Sequence, residues 1–526
     1  MSEYTLTLLD TTSIQKYIFS SNRLKEIIGA SFLVRQVTQQ WTYEALDDLF
    51  PGEHNVTDLE KGTLDEAIVI APGTPVKAEV IFSGGGNTAI LFREEVLAHK
   101  FAYHLTKRLL QEAPGLELVV AHIPLTANDS LAEKIRQGID GFLAAAKQQR
   151  RHSLPLPGLG VTAVCSSTGL PAASIDTESD GRRISRVIQA KLKACKPAQK
   201  GLNQAFADLL EKHYRFPDEF DHLGREMGEE SYLAVVHIDG NAMGARVRSI
   251  AQHYASPGQN HEYKQAMRQF SHSIEDASNE ALRSVVSELL RQDPDDLAMY
   301  GDYLPFRPLI FGGDDITFVC NGRYGLALAA LYLQVFEQQK LKGVPDNEQQ
   351  PFACAGVSVV KMHYPFSRAA DLSYDLCDGA KECTGPDRKA SALDWHFSTS
   401  GLNGSLKVIR QREYEETHGS LALRPLRLKP EPFDQDGRAW FERVEPLVRV
   451  FQKDPEWQGH RNKIKALREA LRAGPGAVEE FRRTYRLPDL PELIPGRPEY
   501  RQTGWANGLC GYFDVIELID HYRPLR

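Results

Sequence analysis

Two adjacent aspartates, Asp314 and Asp315, follow the glycine pair Gly312 and Gly313, with the apolar runs PLIF before and ITFV after. Glycine supplies the backbone angles of a hairpin tip at the least steric cost, so the stretch reads as two strands joined by a turn that carries carboxylates. Neighbouring like charges repel, and a fold keeps them together most readily when a cation neutralises both. A hard divalent ion such as Mg²⁺ or Mn²⁺, bound through carboxylates and substrate phosphates, suits that place. A third carboxylate is at hand: Asp239 ends the apolar strand YLAVVHI and precedes the turn-prone GNAMG. If that strand lies beside the hairpin, Asp239, Asp314 and Asp315 reach one edge of one sheet. Three such groups could hold two ions about 3.5–4 Å apart, the spacing that clamps the attacking and leaving oxygens in phosphoryl transfer. The plainer reading of an isolated Asp-Asp pair is a solvated turn; the glycines, the flanking strands and Asp239 weigh against it.

The elements that must position these residues occur twice. A short strand over 5–9 leads into a helical pattern, LKEIIGASFLVRQVTQQWTYEAL. After EAIVIA at 66–71, read as a further strand, comes the hairpin KAEVIFSGGGNTAILF at 77–92, then a helix and a strand over 117–124. The order is β-α-β-β-α-β, a ferredoxin-like arrangement. It returns with a strand at 232–239, helix through 263–291, the GGDD hairpin, the helix GLALAALYLQVFEQQ and the strand ACAGVSVVK at 353–361. The predicted fold class is therefore α+β: two ferredoxin-like units, an irregular insertion between them and a helical C-terminal part. The expected boundaries are 1–145, 146–230, 231–400 and 401–526. The insertion contains GRRISRVIQAKLKACKPAQK, with seven Lys or Arg and no acid; it reads equally as a solvated helix face or a phosphate-contacting surface.

Composition narrows the classes. The 526 residues carry a formal net charge of −8, so nucleic acid could be met only at a local basic patch. Seven scattered cysteines without a CxxC pair fit a reducing compartment. The start MSEYTLTLLDTT lacks signal-peptide features, and no apolar run reaches membrane-spanning length. A cytoplasmic location without membrane contact is expected.

GGDD on a hairpin after a strand-ending Asp resembles the palm of nucleotidyl cyclases and polymerases. The wider pattern resembles the large subunit of type III CRISPR effector complexes, a two-palm family. It rests on LLDTTSIQKYIFSSNRLKEIIGAS at 8–31, FSGGGNTAILF at 82–92, HIDGNAMG at 237–244, FGGDDITFV at 311–319, VSVVKMHYPFSRAADLSYDLCDGAK at 357–381 and SALDWH at 391–396. The resemblance implies that ATP is the substrate and cyclic oligoadenylate the product. It implies that Asp239, Asp314 and Asp315 are catalytic and bind metal, and that Lys381 contacts the triphosphate. Gly240, Asn241, Gly312 and Gly313 would line the same nucleotide site. The first palm, whose SGGGN tip has no carboxylate, would bind the acceptor ATP through Ser83, Gly84, Gly85, Gly86, Asn87 and the Ser13 region. Partners would be guide-RNA complex subunits and RNA, in antiviral defence.

Three departures stand out. The chain has no His-Asp dipeptide, so the nuclease domain of many relatives is not expected. The CSSTG stretch keeps only Cys165 of a CxxC, with Thr168 in the second place and Cys195 alone elsewhere, so no structural zinc is expected. Asn241 stands where some relatives carry a second Asp. Two other readings remain at this stage: a non-catalytic scaffold of a guide-RNA complex, and a cyclic-dinucleotide cyclase or polymerase on the same palm.

Overall fold

The computed structural model describes residues 4–149, 160–178, 181–210, 213–223, 231–297, 299–398, 404–430, 438–457 and 459–525. The strand β1 (Tyr4–Thr12) is followed by α1 (Leu24–Thr38), the hairpin β2 (Ala78–Gly84) and β3 (Asn87–Phe92), α2 (Glu95–Glu112) and β4 (Glu117–Leu125). These strands form an antiparallel sheet in the order β2-β3-β1-β4. Alternation along the strands divides its side chains. Leu9, Val80, Ile90 and Phe92 share a core with α1 and α2, while Leu6, Leu8, Ala89 and Leu91 share one with Leu131, Ile135 and Leu143, beyond β4. The short helix α3 (Ala144–Gln149) continues on that second side.

After α4 (Arg186–Ala205), the plan repeats with β5 (Tyr232–Gly240), the long α5 (Asn260–Arg291), the hairpin β6 (Phe306–Ile310) and β7 (Ile316–Asn321), α6 (Gly325–Glu337) and β8 (Ala353–Lys361). The expected β-α-β-β-α-β order holds in both units. The second sheet is larger, with order β6-β7-β5-β8-β9-β10: α7 (Phe366–Glu382) crosses over to β9 (Ala392–Ser398), parallel to β8, and β10 (Leu426–Arg427) follows. Here α5 and α6 cover the face of Ala234, Val236 and Ile238, and α7 covers the face of Leu233 and Val235.

The two units pack reciprocally. α5 lies against the edge strand β2, and α1 lies against the edge strand β6. The exposed edge of β2 is capped by side chains: Arg268 donates to the carbonyls of Ile81 (3.2 Å) and Val80 (2.8 Å). Fully buried Glu79 receives Lys264 at 2.8 Å and Arg268 at 3.1 Å. Buried charges of this kind persist only when paired and hydrogen-bonded.

Two sequence expectations are corrected, and a third, the helical C-terminal part, holds with an addition. EAIVIA at 66–71 lies outside the sheet; the Ile70 amide is anchored on the Glu79 carboxylate at 3.0 Å, and the segment is half-buried at most. The C-terminal part has helices at Glu445–Lys453, Arg461–Ala473, Pro475–Tyr485 and Phe513–His521, but it also holds a small four-stranded sheet made of two-residue strands. Such short strands carry no periodicity to read. The basic run is not one solvated face. Arg182 is nearly buried, bonded to Glu26 (2.5 Å) and Asp176 (3.2 Å), and Lys191 is fully buried, donating to the Tyr17 carbonyl at 2.5 Å. Lys196 meets Glu178, and Lys25 meets Glu219, across a cavity of about 1030 Å³ beside α4. Among the described residues no helix is long and apolar enough to cross a membrane.

Candidate active site

The β5–β7 ladder pairs Ile238 with Ile316, so the next step places Asp239 opposite Asp315, just below the hairpin tip. Residues directly opposite in antiparallel strands share a face. Both carboxylates lie on the α7 side. Lys381, near the end of α7, bonds Asp239 Oδ2 through its Nζ and also reaches Asp378 at 3.2 Å. His237 Nδ1 stands 3.3 Å from Asp315 Oδ1 and 3.2 Å from Thr317 Oγ1, and its ring packs on Tyr374 with centroids 3.7 Å apart. Burial opposes the Lys381 charge, but the hydrogen bond and charge of Asp239 outweigh it and hold the pKa up.

Asp314 precedes Asp315 at the tip and packs on Gly240. Its Cβ lies 2.8 Å from where a Cβ on Gly240 would be, so Gly240 is required by close packing. Burial, then Asp239, then Asp315 push the Asp314 carboxyl up to about 7. The three carboxylates thus interact. Among the described residues no group of three His, Cys, Asp or Glu side chains is placed to hold a metal ion. Where the sequence leads one to expect a three-ligand cluster, the ladder register, continued to the tip, sets Asp239 opposite Asp315 and Asp314 opposite Gly240.

The two glycine-rich tips meet. A Cβ on Gly313 would lie 3.7 Å from Gly85 Cα, so the hairpins touch across the boundary between the units. Ser278 of α5 donates to the Gly313 carbonyl at 2.5 Å, and Ser31 of α1 donates to the Leu309 carbonyl. A cleft of about 150 Å³ at this meeting point is lined by Gly85, Gly86, Arg35, Phe311 and residues 312–315. The Arg35 guanidinium sits over the Phe311 ring, 5.3 Å from its centroid.

The other sequence candidates divide. Gly84, Gly85, Gly86, Gly312 and Gly313 form the touching tips, with Gly85, Gly86 and Gly312 at positive φ. Exposed Asn87 lies beside them, bonding Gly85 O at 3.4 Å. Ser83 is engaged elsewhere: its Oγ donates to the Thr38 carbonyl at 2.8 Å and ties the hairpin to the end of α1. Asn241 is buried, with its amide on the Ala390 carbonyl at 2.9 Å and its backbone carbonyl on Arg246. Its bonds brace the turn that follows Asp239. Ser13 stands exposed at φ 56°, just past β1. Sequence reading missed Arg35, Ser31 and Ser278, whose roles arise only from the packing of one unit on the other. It also missed an ion pair at the first tip, Asp10 with Lys147.

Comparison with known proteins bears on this arrangement. Residues 232–390 match the family model described as Cas10/Cmr2, second palm domain. That segment, similar to a Cas10/Cmr2 second palm, holds Asp239, the GGDD tip and Lys381. Among solved structures, the chain resembles "Crystal structure of Csm1 in T.onnurineus" at 14% identity and TM-score 0.54, covering 99% of this chain and 70% of that one. It also resembles Csm1–Csm4 cassettes solved with pppApApA (14% identity, TM-score 0.53, 98% and 68% covered) and with cA4 (13%, 0.51, 98% and 69%). At these identities the likeness is one of fold. The search of curated proteins finds no match.

Proposed function

We propose that this chain is a nucleotidyltransferase that joins ATP into cyclic oligoadenylate, as a subunit of a type III CRISPR effector complex. The observation that carries the reading is the meeting of the two glycine-rich tips beside Asp239, Asp315 and Lys381. The match of residues 232–390 to the Cas10/Cmr2 palm supports it, as do similar folds solved with oligoadenylates. Partnership with other complex subunits is supported by the cassettes in which those folds occur.

The donor set suits a hard divalent ion: Asp315 Oδ1 is buried without a hydrogen-bond partner, and burial, then the charges of Asp239 and Asp315, raise the Asp314 carboxyl above the usual carboxylate range. Asp239 and Asp315 would hold Mg²⁺ or Mn²⁺, which when bound supplies Lewis-acid stabilisation of phosphoryl oxygens. The protein's own part is positioning. Lys381, a point charge tied to Asp239, would turn to a triphosphate if the carboxylate were neutralised by a bound cation. The bare glycine tips let two nucleotides approach closely, one on each unit, so that a ribose hydroxyl of one can meet the α-phosphate of the other. Oligoadenylate formation releases one pyrophosphate per bond.

The test is incubation of the purified chain, alone and within its effector complex, with α-labelled ATP and Mg²⁺. Cyclic or linear oligoadenylate is expected from the wild type, and none from the Asp314→Ala/Asp315→Ala double variant with an unchanged circular-dichroism spectrum. Equal product from the double variant sinks the site assignment. Product absent even from the assembled complex favours a scaffold.

A further inference from the structure

The internal duplication reaches further than the hairpins. Asp10 pairs with Asn87 in the β1–β3 ladder, the first residue after the Gly85–Gly86 tip. Asp239 faces Asp315 by the same rule in the second sheet. Three residues after each aspartate the backbone turns left-handed at a non-glycine residue: Ser13 at φ 56°, ψ 33° and Ala242 at φ 58°, ψ 24°. Helices begin directly afterwards, at Ile14 and Met243. Such angles are uncommon outside glycine, so their recurrence at one offset fixes Asp10 as the counterpart of Asp239.

The lysines correspond as well. Lys381 comes from the helix that follows the fourth strand of its unit and covers the face away from the two packed helices. Lys147 comes from α3, after the fourth strand of the first unit and again on the face away from α1 and α2. Its Nζ bonds Asp10 Oδ2, as Lys381 Nζ bonds Asp239 Oδ2. The Lys147 side chain is 39% exposed while that of Asp10 is 14% exposed, so the ammonium can change partners at a surface. Ion pairs open to solvent on one side contribute little to stability, so fold stability alone does not account for one device built twice. What the first copy lacks is the second carboxylate: Gly86 and Asn87 occupy the places of Asp314 and Asp315.

We propose that Lys147, aimed by Asp10, is a second polyphosphate-binding residue that holds the nucleotide of the first unit by its ammonium charge, without a carboxylate pair for a divalent ion. This rests on the nucleotidyltransferase reading above and names the anchor of its acceptor nucleotide. A lysine is suited to the task as a compact charge that can follow a flexible phosphate chain.

The test counts sites. Titration calorimetry of the full chain with α,β-methylene-ATP, which cannot be transferred, is expected to give two nucleotides per chain in Mg²⁺. Lys147→Met should weaken one site at least tenfold and spare the other; Asp10→Asn should weaken the same site less, and Lys147→Arg should restore most of it. Lys381→Met should remove the other site. Two unchanged sites in Lys147→Met, with only Lys381→Met losing one, overturn this inference and leave the nucleotidyltransferase reading standing. A wild type that binds no nucleotide overturns both. Thermal melts within a degree or two of wild type, expected for a surface lysine, separate lost binding from lost folding.

Discussion

At the scale of single residues, Lys381 does for Asp239 what a divalent ion would do: it neutralises a carboxylate that already faces Asp315. On the function proposed above, removing the ammonium is expected to harm nucleotide binding more than stability. Lys381→Met should raise the KM for ATP at least tenfold while shifting the thermal midpoint little, because the pair is partly exposed; steady-state kinetics at several Mg²⁺ concentrations would show it. A fall in kcat alone, with KM unchanged, would remove Lys381 from triphosphate binding. Lys191 behaves in the opposite way. Burial lowers its pKa to about 8, below the ordinary lysine value, so between about pH 8 and 10.5 the unfolded chain binds more protons than the folded one. Stability from this group is least below pH 8 and rises through that window. The midpoint of Lys191→Met should lack this rise, so the difference between the two proteins should change by about 3 kcal/mol across it. Parallel pH profiles would contradict the burial of a charged lysine.

At the scale of elements, the close contact of α1 and α4 depends on one missing atom. A Cβ on Gly29 would lie 1.7 Å from the Lys191 carbonyl oxygen, and backbone cannot yield as a side chain can. Gly29→Ala should cost on the order of 2–3 kcal/mol and loosen the docking of the basic helix, read as a lower thermal midpoint and faster proteolysis in residues 186–205. Gly141→Ala, which meets nothing within 4 Å, should leave both unchanged. The same packing revises the meaning of the basic run. Reversing Arg182 breaks its bonds to Glu26 and Asp176, so it tests folding. Reversal at exposed Lys193 and Lys200 is the fair test of a phosphate surface, with salt-dependent loss of RNA binding expected if they meet a backbone.

At the scale of the whole molecule, the two units are held in register by charges as well as by apolar surface. Glu79 on β2 is buried against Lys264 and Arg268 of α5, and Arg268 also caps the free carbonyls of the sheet edge. Glu79→Gln leaves two buried cations undercompensated; a cost of about 3–5 kcal/mol is expected, with oligoadenylate synthesis falling in step because the tips at Gly85 and Gly313 separate. Full activity in a destabilised variant would show that the tips need no such alignment. Much of this architecture was legible in the chain itself. The order of strands and helices in both units, the glycine tips, Asp239 at a strand end and the GGDD acids follow from alternation, helical period and turn chemistry, all of which act over a few residues. Other features were settled by packing alone: that Asp314 packs against Gly240, that Asn241 and Ser83 bond scaffold carbonyls, that Arg182 and Lys191 are interior, and that the two tips touch. Each depends on which surfaces of distant segments meet, and no local pattern of residue types records that choice.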